Sequence, residues 1–374
     1  MNSKIKYSND KYTAFSNTLR HRVNEYFETR KLSKFGNPDM VLKTIFMVSL
    51  YFIPYILMIT GIVSNPIAIF GIWVFMGFGM AGIGLSVMHD ANHGSYSKHS
   101  IVNKYMSYFL DVIGGNSANW KIQHNVLHHS YTNIHDADED INISNLMRFS
   151  PHQKRYKIHR LQYIYAWFLY SLMTLSRLMW TDISQVYRFN KRGLTSTQNK
   201  SFRSLVIELT IAKFIYITYI LVLPLIFVHI PWWQTVLFFL AMHLIAGFIL
   251  ASIFQPAHVM PVSHYPLPDG DGNIENSWTI HQLATTTDFA PSSRIFSWFV
   301  GGLNFQIEHH LFPNICHVHY RSISKIVKQT AKDFNIGYNE QSNFIKALYN
   351  HGKMLYYLGK YDNIKPIVVK FKGN

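Results

Sequence analysis

The sequence predicts an all-α integral membrane protein with four transmembrane helices in two hairpins and a helical cytoplasmic cap. Three features carry that expectation: two long stretches almost free of charge, cations gathered everywhere else, and histidine clusters directly after the apolar stretches. Of 374 residues, 48% are hydrophobic and only 15% charged. That is too few charges to coat a soluble globule of this size, and too much apolar material for a disordered chain. The formal charge of +15 would suit a nucleic-acid binder. Such a protein concentrates its charge on a polar surface and needs no long uncharged runs, so nucleic acid is excluded as a partner and a lipid bilayer expected. Cys316 is the only cysteine. No internal disulfide, CxxC redox pair or cysteine zinc knuckle can form.

In chain order, residues 1–43 alternate Tyr, Phe and Leu with Arg and Lys, the pattern of a helix lying on the cytoplasmic membrane surface, and no signal-peptide core is visible there. Residues 44–88 contain no Lys, Arg, Asp or Glu and are interrupted only by Ser64, Asn65 and Pro66. Each half is long enough as a helix to cross roughly 30 Å of hydrocarbon, which predicts a first hairpin. Residues 89–204 are polar and basic. Within them 161–180 is apolar but interrupted by Arg177, which fits an interfacial amphipathic helix better than a fifth span. Residues 205–258 carry only Glu208 and Lys213 and break at Val228–Pro231, predicting a second hairpin with spans near 211–229 and 232–257. Residues 259–374 mix Pro, Gly and polar residues with apolar ones, as a folded cap does. Every Lys and Arg except Lys213 lies in the three polar segments. That bias puts both termini and all three segments on the cytoplasmic side of a single membrane domain.

The chain has 20 histidines, and their placement is the informative part. His89 and His93 follow the first hairpin in MHDANHGSYS, four residues apart and on one face if the helix continues. His124, His128 and His129 lie in WKIQHNVLHHSYTN, His258 follows the fourth span, and His309 and His310 close GGLNFQIEHHLFP. Any one of them is more often a hydrogen-bonded structural residue than a ligand. Together, on one side of one membrane, they exceed what a single ion can coordinate and point to two metals. No HExxH and no Glu-x-x-His occurs, so neither a zinc protease nor a carboxylate di-iron bundle is supported. All-imidazole ligation suits iron or copper acting on dioxygen more than zinc.

The ordered boxes His-Asp-Ala-Asn-His (89–93), His-Asn-Val-Leu-His-His (124–129) and Gln-Ile-Glu-His-His (306–310), interleaved with two hairpins, resemble the membrane fatty-acyl desaturases, and most closely their front-end and bacterial linoleoyl-type branch. The resemblance covers essentially the whole chain. It implies two iron ions held by His89, His93, His124, His128, His129, His258, His309 and His310, dioxygen as co-substrate, and a cis double bond introduced into an acyl chain carried by coenzyme A, a carrier protein or a lipid. The sequence departs from the family pattern in three places. Box two has three residues between its first two histidines where two are usual, so a helical turn is expected to be wound differently there. Gln306 stands where the stearoyl-type branch has histidine, and Phe254 where that branch has asparagine. Asp90, Asn304 and Gln306 are expected to support the ligands. Trp120, Trp278 and His281 are candidates for the same supporting role or for the acyl channel. Asp138, Glu139 and Asp140 read first as a solvated acidic loop, with assistance to the ligands or docking of a partner as the alternative.

No His-Pro dipeptide occurs, so the haem motif of a fused cytochrome b5 domain is absent and electrons are expected from a separate ferredoxin or cytochrome b5. The basic face suits coenzyme A phosphates or an acidic carrier, and equally anionic headgroups and an acidic electron donor. The main alternative is a lipid or alkane hydroxylase on the same scaffold. A haem-bearing electron carrier or a transporter fits less well, since only His243 lies deep in a span.

Overall fold

A computed structural model describes residues 5–8, 12–142, 145–362 and 364. They are mostly helical. The strands among them are two-residue pieces joined in two parallel pairs, Lys6–Tyr7 with Asn273–Ile274 and Asp288–Phe289 with Glu340–Gln341. The chain divides into two compact units. One, here the histidine unit, takes the described residues of 1–35, 123–166 and 253–374; the other, the apolar unit, takes 36–122 and 167–252.

Four helices are long and apolar enough to cross a membrane: Pro38–Ile59, Pro66–Asn92, Phe202–Phe227 and Trp232–His258. Their ends follow local chemistry. Asn37 caps the first by accepting the Met40 N–H at 3.2 Å, with Pro38 at the first helical position, so this helix starts earlier than the charge-free run alone suggests. Asn65 caps the second in the same way, accepting from Ile67 and Ala68 ahead of Pro66. Residues that read as a break are thus the start signal of the next helix. Ser201 caps the third, accepting from Ser204, which again places the start upstream of the expected 211. Within the apolar unit, a Cβ on Gly79 would come 2.8 Å from the Tyr51 backbone nitrogen, so these two helices meet backbone to backbone. The outer face of Pro38–Ile59 exposes Val41, Leu42, Ile45, Phe46, Ile53 and Ile56. An apolar face of that size needs a lipid or protein neighbour.

Two polar side chains inside this unit are closely partnered. Lys213 donates to Asp182 at 2.6 Å and to the Gly114 and Arg177 carbonyls. His243 is fully buried between Tyr216, 2.9 Å from its Nε2, and Thr174, 3.0 Å from its Nδ1. The 161–180 stretch forms helices Gln162–Ser171 and Met173–Ser176 followed by a π turn, Arg177–Thr181. None is long enough to cross a bilayer.

In the histidine unit, the Thr13–Thr29 helix buries Phe15, Leu19, Val23 and Phe27, one stripe at i, i+4 spacing. The stripe packs on Leu283, Phe305, Ile307, Ile323 and Val327. Each such side chain contributes about 1.5–3 kcal/mol of burial. Residues 259–362 fold into the same unit: buried Arg148 donates to the Leu358 and Tyr361 carbonyls and secures the Phe344–Lys360 helix.

Candidate metal centre

Box two lies on a π-helical segment, Ile122–His128, that runs into a short α-turn, His129–Tyr131. The wider winding absorbs the extra residue between His124 and His128, the altered turn that the spacing predicts. It leaves the rings of His124, His128 and His129 between 4.7 and 5.8 Å apart, centroid to centroid. Box three lies on Gln306–Leu311, and His258 ends the fourth long helix.

The histidine unit brings six of the eight expected histidines together. Nε2 of His129 is 2.9 Å from Nε2 of His309 and 3.1 Å from Nε2 of His124, and the latter two are 3.4 Å apart. Nitrogens bound at about 2.1 Å to one ion and at right angles lie about 3 Å from each other, so this is the separation a shared cation gives. His128, His258 and His310 form a second group whose ligand atoms all lie within 4.8 Å of one another. His310 also belongs with His129 and His309, which makes the two groups neighbours. All six rings are buried. The donor set fits soft-to-borderline transition metals, and more than one of them.

On four of the six rings the other nitrogen is held by the protein, which fixes the ring's orientation. Nδ1 of His128 is 3.1 Å from Asp138 and 3.4 Å from Asp140. Burial pushes this imidazole down, but Asp138 and then Asp140 more than offset it and raise its pKa to about 9. Nδ1 of His310 meets Gln282 Oε1 at 2.9 Å, and the Gln282 amide donates to the His129 carbonyl at 3.0 Å. Nδ1 of His309 is 3.3 Å from the Tyr320 hydroxyl, and Nδ1 of His258 is 3.4 Å from the Thr285 carbonyl. Trp278 and His281 donate to the carbonyls of His129 and Thr132, so both brace box two.

In the apolar unit, the second long helix continues through a π turn, Ile83–Val87, into Met88–Asn92. The His89 and His93 rings lie 4.9 Å apart, and Trp120 packs edge-on against both, at 5.5 and 5.8 Å. Asp90 sits 3.8 Å from Nδ1 of His89, beyond hydrogen-bonding distance, and its carbonyl accepts from Ser95.

The remaining sequence candidates act differently from one another. Asn304 donates to the Phe289 and Ala290 carbonyls and shapes the loop before box three. Gln306 donates to the Leu303 carbonyl at 2.6 Å and lies within hydrogen-bonding reach of His258. Asp138 is fully buried on His128. The solvated-loop reading fails there, and the signal was available as an acidic run beside a histidine box.

A second buried assembly supports box three from behind. Asp288 accepts the Ile307 N–H at 2.9 Å, and the Tyr338 hydroxyl is 2.6 Å from Asp288 and 3.2 Å from Glu308. Burial pushes the Asp288 carboxyl up to about 6 and Glu308 well above its ordinary value, the charge of Asp288 adding to the latter. Burial thus favours the neutral form of both carboxyls, and the charge of Asp288 favours it further at Glu308.

Buried imidazoles converging through Nε2, in a chain with four membrane-length apolar helices, have the donor set and setting of a membrane protein with a histidine metal site. Comparison with known proteins supplies the family. Residues 64–342 match the model of the family described as "Fatty acid desaturase". The chain is 35% identical to an acyl-lipid (8-3)-desaturase of Physcomitrium patens, over 93% of this chain and 72% of that protein. It is 32% identical to an sn-1 linoleoyl-lipid 6-desaturase of Synechocystis, over 92% and 96%, and 31% identical to an acyl-lipid (8-3)-desaturase of Mortierella alpina, over 93% and 78%. The chain belongs to the fatty acid desaturase family. It is a membrane oxidoreductase of the front-end-like kind, working with metal and oxygen on lipid chains.

Proposed function

We propose that the chain is a multi-pass front-end desaturase of acyl-lipids whose eight histidines hold two irons on the cytoplasmic side of the membrane. Convergence of six buried histidines in one unit is the observation that carries this reading. His124, His128, His129, His258, His309 and His310 would hold the metals, with His89 and His93 completing the set. Bound there, an iron pair supplies the oxidising power to take hydrogen from an unactivated methylene, which acid–base groups and zinc lack.

The chain's own residues position and insulate. Asp138 and Asp140 hold His128, Gln282 holds His310 together with the box-two backbone, and Tyr320 holds His309. Burial of all six rings keeps water from competing for the site. Gln306, beside His258, keeps a neutral amide where the stearoyl-type branch has an imidazole. The stoichiometry consumes one dioxygen, two hydrogens from adjacent carbons, and two electrons with two protons from outside; it leaves a cis double bond and two waters. The electrons come from a separate ferredoxin or cytochrome b5. Residues 1–374 act as one membrane domain, its polar segments 1–43, 89–204 and 259–374 cytoplasmic, an orientation supported by the placement of the cations.

The test is expression in a host of defined lipid profile with a supplied electron donor, reading fatty acids by mass. New acids lighter by two hydrogens, absent with His309→Ala, are expected. Products heavier by one oxygen would make the protein a hydroxylase instead.

A further inference from the structure

We infer that the lysine-lined groove along the Tyr320–Asp333 helix is the docking site of an acidic one-electron carrier protein. This rests on the desaturase reading, whose reaction draws two electrons per turnover from outside the chain. The groove has a volume of about 610 Å³ and is lined by Lys325, Lys328, Lys332, Asn335, Ile336 and Tyr338, among others. The three lysines are exposed and recur at i, i+3 and i+7, which stacks them on one face of the helix. The opposite face, with Ile323, Val327 and Ala331, is buried in the core shared with Phe15, Leu19 and Val23. The cations therefore stand on a rigidly seated helix.

Lys328 is bonded to both carboxylate oxygens of Glu340 at 3.0 Å and lies 5.6 Å from the Tyr338 ring centroid. Lys325 and Lys332 form no ion pair among the described residues and are the cations offered outward. Lysine stems, Ile336 and the Tyr338 ring floor this concavity and three ammonium groups rim it. A recessed cationic rim suits the carboxylates of a protruding acidic protein surface better than the flat surface of a bilayer.

The groove also leads somewhere. Tyr338 forms part of its wall, and the Tyr338 hydroxyl is 2.6 Å from Asp288 and 3.2 Å from Glu308, the residue that directly precedes His309. The wall is thus one hydrogen bond and one peptide link from the third box. A reduced carrier docked there gives up one electron and leaves oxidised; two dockings supply the pair that, with two protons, ends in water.

The experiment uses the full chain in neutral-lipid nanodiscs and measures Kd for two acidic probes, a plant-type [2Fe–2S] ferredoxin and the soluble domain of cytochrome b5, at several salt concentrations. The double variant Lys325→Glu/Lys332→Glu is expected to weaken binding of at least one probe by about tenfold and to flatten its salt dependence. The charge-matched control Lys346→Glu/Lys353→Glu, on the exposed side of Phe344–Lys360, is expected to stay within about twofold. The milder Lys325→Gln/Lys332→Gln should show the same direction if the Glu variant fails to fold. An unchanged Kd in both groove variants, equal losses in groove and control variants, or no binding of either probe by the wild type would each overturn the proposal. So would a groove variant that keeps its carrier affinity but loses affinity for phosphatidylserine vesicles, which would assign the groove to lipid. Because binding is read without turnover, a failure to make unsaturated products counts against the functional reading separately.

Discussion

Two kinds of buried histidine occur in this chain, and they differ in where their nitrogens point. His243, deep in the fourth long helix, has one nitrogen against the Tyr216 hydroxyl and the other against Thr174. His124, His129 and His309 turn their Nε2 atoms toward one another at 2.9–3.4 Å, and Tyr320 takes the far side of His309. The first arrangement is complete without any ion. The second sets lone pairs against each other and needs a shared proton or cation between them. Burial alone does not separate the two kinds, and the direction of the free nitrogen does.

Mutations can break that contrast, and metal content is the common readout. His309→Ala removes a nitrogen from the converging group and should abolish both stoichiometric metal and product; retention of both would remove His309 from the centre. Asp138→Asn takes the charge from the His128 anchor. It should lower metal affinity by about 10- to 100-fold, checked by competition with a chelator. The buried carboxylate of Asp182 serves Arg177 and Lys213 instead, so Asp182→Asn should cost about 3–5 kcal/mol of stability and leave the metal in place. Gln282→Ala frees one edge of His310 and a box-two carbonyl and should weaken metal binding by up to about tenfold. His243→Phe should leave metal content unchanged and cost about 1–3 kcal/mol through the hydroxyl partners it strands, read as a lower unfolding temperature.

Much of the fold was legible because lipid imposes a simple rule: long runs without charge, with cations massed outside them, give membrane-length helices at nearly the expected places. The boundaries shifted where caps outrank hydropathy, at Asn37 with Pro38 and at Ser201. The histidine boxes were legible because short-range spacing encodes a shared helical face, and the irregular gap in box two already signalled the π turn. The partners of those histidines were not, since Gln282, Tyr320 and Asp288 reach the boxes across long loops that leave no periodic trace. At Asp90, adjacency in sequence gives a looser approach: neighbours on a helix point to different faces, and its carboxylate lies 3.8 Å from Nδ1 of His89. Asp138 and Asp140, ten and twelve residues beyond His128, are the carboxylates that meet its ring.

The most direct measurement is metal analysis of the purified full chain in detergent, wild type beside His309→Ala and His243→Phe. About two irons per chain in the wild type and in His243→Phe, with clear loss in His309→Ala, is the result expected of a two-metal site. Iron absent from the wild type, or retained in full by His309→Ala, would contradict a metal pair held by the converging imidazoles.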